Sequence, residues 1–192
     1  MNLEDLVNVG THFDKKQNMK TLRVISIYLL VLCTTFYVGI GVFQLICPFD
    51  QHFDTIEFAK YWKIVDGYMG KRMSIFMPIW LLVVILNLVV FVTTWRRSPI
   101  FWIILSTLII LIVDISFTIT HQIPINKFFQ SIDVNNLTEA QIKTVQQYRE
   151  ATDKNFDERK MHVLIVFILI SLLPYLLPRL NKEQVKINKN ES

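Results

Sequence analysis

Four long apolar runs are the feature that most constrains this chain. They cover approximately residues 24–47, 73–95, 99–120 and 161–178. Each run approaches the roughly 20 residues that a helix needs to cross about 30 Å of hydrocarbon. With 52% hydrophobic and only 19% charged residues, the composition is too apolar for an ordinary soluble domain of this size. The sequence therefore predicts an all-α fold, a single four-transmembrane-helix bundle with a polar N-terminal segment and a polar C-terminal tail.

The basic residues predict how this bundle is oriented. Short basic segments precede the first run, join the second run to the third, and follow the fourth. Because these three segments share one side of the membrane, the positive-inside rule puts both termini in the cytoplasm. The first run is too long for a secretory signal, whose apolar region has about 7–15 residues, and is interpreted as a retained anchor. No basic patch is interleaved with aromatics in a soluble module, so nucleic acid is not an expected partner.

The segment between the first two runs predicts an amphipathic helix in loop one. Phe58, Trp62 and Met69 recur there at helical spacing, with charged residues between them. Such a helix lies on the membrane surface or covers one end of the bundle. Gly67 and Gly70 are expected to let the chain turn into the second span.

The segment before the fourth run predicts a helix that extends out of the membrane. Thr138 and Gln141 have the spacing of a capping box, and nothing breaks the helical pattern from there to Pro178. A helix of this length measures about 60 Å at 1.5 Å per residue. The fourth helix is therefore expected to project well beyond the bilayer.

An unusually polar cluster marks the end of the third span. Asp114, Thr118 and His121 follow i, i+4, i+7 spacing, which predicts one stripe on a helix. A carboxylate at this depth costs roughly 2.5–3.5 kcal/mol in lipid, so it is expected to face the bundle interior or a wet cavity. Pro124 is expected to end or kink the helix, and Asn126 to bind the carbonyl groups that are freed.

The predicted topology brings the polar ends of all four spans to one face of the membrane. Three of the four histidines of the chain collect there, which predicts a pocket open to the outer leaflet. In a simpler interpretation, the Thr and Gln side chains only satisfy the backbone at helix ends. The predicted catalytic residues are His121, His162, Arg72, Asn126 and Asp114, and the predicted pocket residues are Thr118, Gln122, Arg159 and Glu158.

Short motifs in three of the spans resemble those of a known family. The matching residues are Thr118, Pro124, Asn126 and Phe128 or Phe129 in the third span, Gly39, Gly41 and Pro48 in the first, and Tyr68, Arg72 and Pro78 before and within the second. In this pattern the chain resembles the anthrone oxygenase-like family of four-helix integral membrane proteins, largely a domain of unknown function. The fourth span departs from the family order, because Arg159 precedes His162.

The resemblance implies an oxidoreductase that oxidises a flat, phenolic anthrone with dioxygen and uses no bound cofactor. In that reaction His121 is the expected base, with His162 as the second choice. Arg72, Asn126 and Arg159 are the expected donors to the developing oxyanion. Asp114 is expected to orient the first of these histidines, through Thr118 or a water molecule.

Two other functions stay open at this point. One is a metal or haem site, for which the candidate ligands are His52, His121 and His162 with Cys47 or Glu158. No compact ligand motif such as CxxC supports it. The other is a non-enzymatic scaffold or a carrier of a lipid-like ligand. Whether the protein is an enzyme is left undecided; the expected partners are membrane lipid and a hydrophobic small molecule, and homo-oligomers are not excluded.

Overall fold

The described part of the chain is mostly helical and contains no strand, as predicted. The computed structural model describes residues 3–46, 52–95 and 98–179. Cys47, Pro48 and the tail from residue 180 onward lie outside this part. The helices are α1 (Leu3–Ile46), α2 (Thr55–Trp95), α3 (Pro99–Phe117), α4 (Ile123–Ser131) and α5 (Glu139–Ser171), with a π turn, Thr118–Gln122, joining α3 to α4. Beyond a turn at residue 172 the chain is helical again over residues 173–179.

Four helices of the described part are long and apolar enough to cross a membrane, which fits a multi-pass membrane protein. They are Asn18–Phe43, Thr55–Val92, Pro99–Ser131 and Glu139–Arg179. The 41 residues of α2 correspond to about 60 Å at 1.5 Å per residue, twice the thickness of the hydrocarbon core. The fourth of these helices has the same length. Both are therefore long enough to extend well beyond a bilayer.

The four long helices, α1, α2, α3 and α5, form a bundle with one helix at each corner. Helix α1 packs against α2 and α5, and α3 packs against the same two helices, so α1 and α3 lie at opposite corners. The bundle core includes Leu30, Trp80, Val84, Ile104 and Ile170. Large apolar side chains such as Leu32 and Ile75 are about two-thirds exposed, at 67% and 66%. Such an outward face suits lipid.

A second hydrophobic core closes the end of the bundle that carries neither terminus. Phe58 and Trp62 of α2 pack there with Phe129 of α4 and Val145 of α5. We call this three-helix part, formed by residues 52–72, 123–132 and 138–158, the cap. The helix predicted in loop one is therefore present, and its apolar face is covered by α4 and α5.

The expectation that Gly67 and Gly70 turn the chain is wrong. Both lie inside α2, which runs without interruption from Thr55 to Trp95, and no glycine of the described part has a positive φ. The physical reason is tertiary: the first turns of α2 are held in line with the second span by their contacts to α4 and α5.

The predicted start of the fourth helix is confirmed in detail. The Gln141 N–H donates to the Thr138 hydroxyl at 3.3 Å, and the Thr138 N–H donates to the Gln141 side chain at 2.9 Å. This reciprocal pair is a capping box. In the turn just before it, hydrogen bonds from the Asn135 N–H and the Asn136 side chain lower the pKa of the exposed Asp133 carboxyl. These bonds stabilise the turn at neutral pH and are lost as pH falls through that lowered value.

The sequence predicted that the third span would end or kink at Pro124. The span does not end there. It passes through the π turn, where the N–H of Ile123 donates to the carbonyl of Thr118, and continues as α4. Proline lacks an N–H and crowds the carbonyl four residues earlier. The wider turn accommodates both effects without ending the helix. Single π turns of this kind are frequent at functional sites.

Candidate functional site

The centre of the bundle holds one buried carboxylate, Asp114, which is 3% exposed. All four spans contribute to its surroundings: Tyr37 from α1, Trp80 from α2, Asp114 itself from α3 and Arg159 from α5. The prediction that Asp114 faces the bundle interior is confirmed. We call Tyr37, Asp114 and Arg159 the central cluster.

Arg159 binds the carboxylate side-on through two hydrogen bonds. Its Nε donates to Oδ1 of Asp114 at 3.0 Å and its Nη2 donates to Oδ2 at 3.1 Å. The Tyr37 hydroxyl donates to Oδ2 at 2.6 Å and accepts a bond of 3.0 Å from the same Nη2. The three side chains thus form a closed, charge-neutral triangle, as is needed for ionisable groups at membrane depth.

Neighbouring residues hold Tyr37 in place. Its ring packs on Trp80 with centroids 4.7 Å apart, and the Trp80 Nε1 donates to the Thr34 hydroxyl at 3.2 Å. One turn beyond Tyr37, a Cβ atom on Gly41 would lie 3.3 Å from a methyl group of Val163. Glycine therefore lets α1 and α5 approach closely beside the cluster, which brings the Tyr37 hydroxyl within reach of Arg159.

His162 borders the central cluster on α5. Its Nδ1 lies 3.7 Å from Oδ1 of Asp114, and its side chain is 30% exposed. That distance is too long for a hydrogen bond, and the buried Nδ1 has no hydrogen-bond partner in the described part of the chain. Four histidine and arginine residues were predicted for the site: Arg72, His121, Arg159 and His162. The structure brings Arg159 and His162 to the carboxylate.

His121 lies apart from Asp114, although the sequence placed both on one stripe. Its ring is exposed, stacks on Phe117 with centroids 4.5 Å apart, and has Nδ1 2.7 Å from the Thr120 hydroxyl. The π turn explains the difference. A π turn holds more residues than an α turn, so each residue rotates less around the axis and His121 falls short of the stripe.

Thr118 does not link Asp114 to His121 as expected. Its hydroxyl donates to the backbone carbonyl of Asp114 at 2.8 Å, which matches the simpler interpretation that it satisfies the backbone. The carboxylate of Asp114 is directed instead at Arg159 and Tyr37. The expected link from Asp114 to His121 through Thr118 is therefore wrong.

Arg72 and Glu158, two further predicted site residues, are exposed. Arg72 donates to the carbonyl of Tyr68 at 3.4 Å and lies 5.7 Å from the centroid of that ring. No hydrogen bond or ion pair in the described part joins Arg72 or Glu158 to the central cluster.

Gln122, at the end of the π turn, and Asn126, in the cap, belong to one network of side-chain hydrogen bonds. Asn155 donates to Gln122 at 3.3 Å, Gln122 donates to Asn126 at 2.9 Å, and Asn126 donates to Asp66 at 2.6 Å. Trp62 adds a bond of 3.1 Å to Asn126. The network joins α5, α4 and α2, so the Asn126 side chain connects helices, whereas the sequence predicted that it would bind freed carbonyl groups.

The candidate metal ligands do not assemble. In the described ranges no three His, Cys, Asp or Glu side chains are grouped so that they could hold a metal ion. His52 is exposed at the start of the cap, and His121 is exposed on the third span. Cys47, the other candidate, lies outside the described residues.

Sequence reasoning did not single out Tyr37, Trp80 or Asp66. The available signal was chemical: a Tyr or Trp in an apolar span carries a polar tip that needs a partner when buried. A search for partners of Asp114 among such residues would have found Tyr37.

The fold and the site define an α-helical protein with four candidate membrane spans and an ion-paired centre. No family model matches the sequence, and neither the curated proteins nor the solved structures contain a significant match.

Proposed function

We propose that this is an integral membrane protein that binds a flat, apolar molecule with a phenol or carbonyl oxygen beside His162. The observation that carries the proposal is the unpartnered Nδ1 of His162, 3.7 Å from the Asp114 carboxylate. A buried polar atom without a partner costs free energy and calls for an explanation. Hydrogen bonds of reactive groups are often long in the free protein and shorten when the ligand binds.

The Asp114–His162 pair has the features of a carboxylate–histidine base. If Nδ1 donates to the carboxylate, the other ring nitrogen, Nε2, is the acceptor that remains for a ligand proton. Arg159 lies one turn earlier on the same helix, and hydrogen bonds with Asp114 and Tyr37 hold its guanidinium in position. The guanidinium Nη1, which is not used in these bonds, can donate to an oxygen on the ligand.

The ligand reaches this site from the side of α3 and α5. Val163 packs towards α1, against Gly41, while His162 faces Asp114 of α3. Met161 and Ile165, which flank it on α5, are 59% and 42% exposed. These apolar neighbours suit a molecule that dissolves in lipid.

The specific reaction that we propose is oxidation of an anthrone-like molecule, which the sequence resemblance implies. His162 removes a proton from the CH2 carbon that lies opposite the carbonyl in the central ring, and Arg159 donates to the carbonyl oxygen, where negative charge collects in the resulting anion. Dioxygen is the co-reactant: it adds to this carbon, the carbon becomes a carbonyl, and water leaves.

The orientation that we propose places both termini in the cytoplasm. The basic segments that precede the first span, join the second to the third and follow the fourth support this orientation. The cap then lies on the outer side of the membrane, and the central cluster lies below it within the outer half of the bundle.

The test compares two histidine substitutions in purified protein in nanodiscs. Binding of an anthrone is followed by quenching of tryptophan fluorescence, and turnover by oxygen uptake. We expect His162→Phe to weaken binding or turnover at least tenfold, and His121→Phe, the matched control, to leave both unchanged. Equal behaviour of the two variants, with both folded by thermal melting, would refute the assignment of His162.

A further inference from the structure

A groove on the surface of the cap is separate from the central cluster. It runs along α4 where this helix packs against α2 and has a volume of about 460 Å³. The residues that line it are Asp66, Ile123, Asn126, Lys127, Gln130 and Ser131.

The polarity of the groove changes along its length. Ile123 lines the end nearer the apolar part of the third span, and Ile119, one turn earlier, is 56% exposed. Gln130 and Ser131 line the other end, two turns further from the apolar part of the third span. The groove is therefore apolar towards the hydrocarbon and polar towards water, in the same direction as a lipid molecule in a bilayer.

The Asp66 carboxylate is positioned in the groove by two amides. The Asn126 amide donates to Oδ1 at 2.6 Å, and the Gln130 amide donates to Oδ2 at 3.1 Å. A carboxylate offers about four lone-pair sites, so two remain. Among the described residues no Lys, Arg or His nitrogen lies within 4.0 Å of Asp66. The groove thus presents a half-buried negative charge whose neighbours are amides.

Lys127 supplies the opposite charge on the same groove. It is exposed, lines the groove next to Asn126, and has no carboxylate within 4.0 Å in the described part of the chain. A group that can bind an ammonium and a group that can bind a phosphate therefore lie together in one groove.

We propose that this groove binds one phospholipid with a primary amine in its headgroup, such as phosphatidylethanolamine. The ammonium donates to Asp66, the phosphate contacts Lys127, and an acyl chain follows Ile123 and Ile119. A choline headgroup should bind more weakly, because its methylated nitrogen has no N–H to donate to a carboxylate. An anionic glycerol headgroup also lacks the cation that Asp66 needs.

The experiment measures which lipid stays bound to the whole protein. Purified protein is equilibrated in nanodiscs with equal amounts of phosphatidylethanolamine, phosphatidylcholine and phosphatidylglycerol, and retained lipid is counted by native mass spectrometry. We expect roughly tenfold preference for the ethanolamine lipid over the choline lipid, the effect of one charge-assisted hydrogen bond. Asp66→Asn should abolish this preference.

Two lysine variants provide an independent arm. Lys127→Gln should lower retention of every phospholipid in the groove, whereas Lys143→Gln, an exposed lysine on α5, should change nothing. Equal retention of ethanolamine and choline lipids by the unmodified protein would overturn the proposal. So would a Lys127→Gln variant that retains as much lipid as Lys143→Gln, even if Asp66→Asn fails to fold.

Discussion

Breaking the buried ion pair at Asp114 should destabilise the protein far more than breaking a surface ion pair on the same helix. At an effective dielectric constant of about 20, unit charges 3.0 Å apart attract by roughly 5.5 kcal/mol. Removing one partner leaves the other charge buried without compensation, which costs about 3–5 kcal/mol. We therefore expect Arg159→Met to lower the free energy of unfolding by that amount, and Asp114→Leu to do the same.

The double variant separates this effect from a general loss of packing. Because both charges leave together, Asp114→Leu/Arg159→Met should cost only about 1–3 kcal/mol, the effect of leaving the Tyr37 hydroxyl without its two partners. The coupling energy of the cycle should then exceed about 3 kcal/mol. Reversible unfolding in mixtures of dodecyl maltoside and SDS, followed by circular dichroism, measures all four proteins.

Lys160→Met is the matched control. Lys160 follows Arg159 on α5 and also forms an ion pair, with Asp157 at 2.8 Å, but both side chains are partly or largely exposed, at 35% and 73%. Exposed pairs contribute about 0–1 kcal/mol, so this variant should stay close to the unmodified protein. Additive effects of Asp114→Leu and Arg159→Met, or a cost for Arg159→Met no larger than for Lys160→Met, would refute the reasoning.

Three further predictions concern hydrogen bonds in different environments. The same assay measures the free energy of unfolding of each variant. Tyr37→Phe removes the hydroxyl that donates to the buried carboxylate and should cost about 1.5–3 kcal/mol; a cost below 0.5 would contradict its place in the cluster. Thr34→Val removes the neutral acceptor of Trp80 and should cost only about 0.6 kcal/mol, the average for bonds between membrane helices. Thr138→Ala removes the cap of α5 and should cost about 1 kcal/mol, whereas Thr144→Ala, inside the same helix, should be close to neutral.

The residue pattern by itself determined the helices and much of their extent. Four apolar runs of membrane-spanning length predict four spans, because a backbone in lipid has to satisfy its own hydrogen bonds. The long fourth helix and its start at Thr138 were also predictable, since a capping box and an unbroken helical pattern are local features. The cost of a charge in lipid likewise predicts that Asp114 faces inward.

The tertiary structure alone decided which residues meet at the site. Arg159 and Tyr37 lie 45 and 77 positions away from Asp114 in the chain, and spacing along one helix carries no information about partners on two others. The π turn before Pro124 rotates His121 away from the carboxylate, and this depends on how the third span accommodates a proline. The groove at Asp66 exists because the long α2 packs against α4. Helix formation is local and readable from the sequence, whereas the choice of neighbours depends on packing between distant segments.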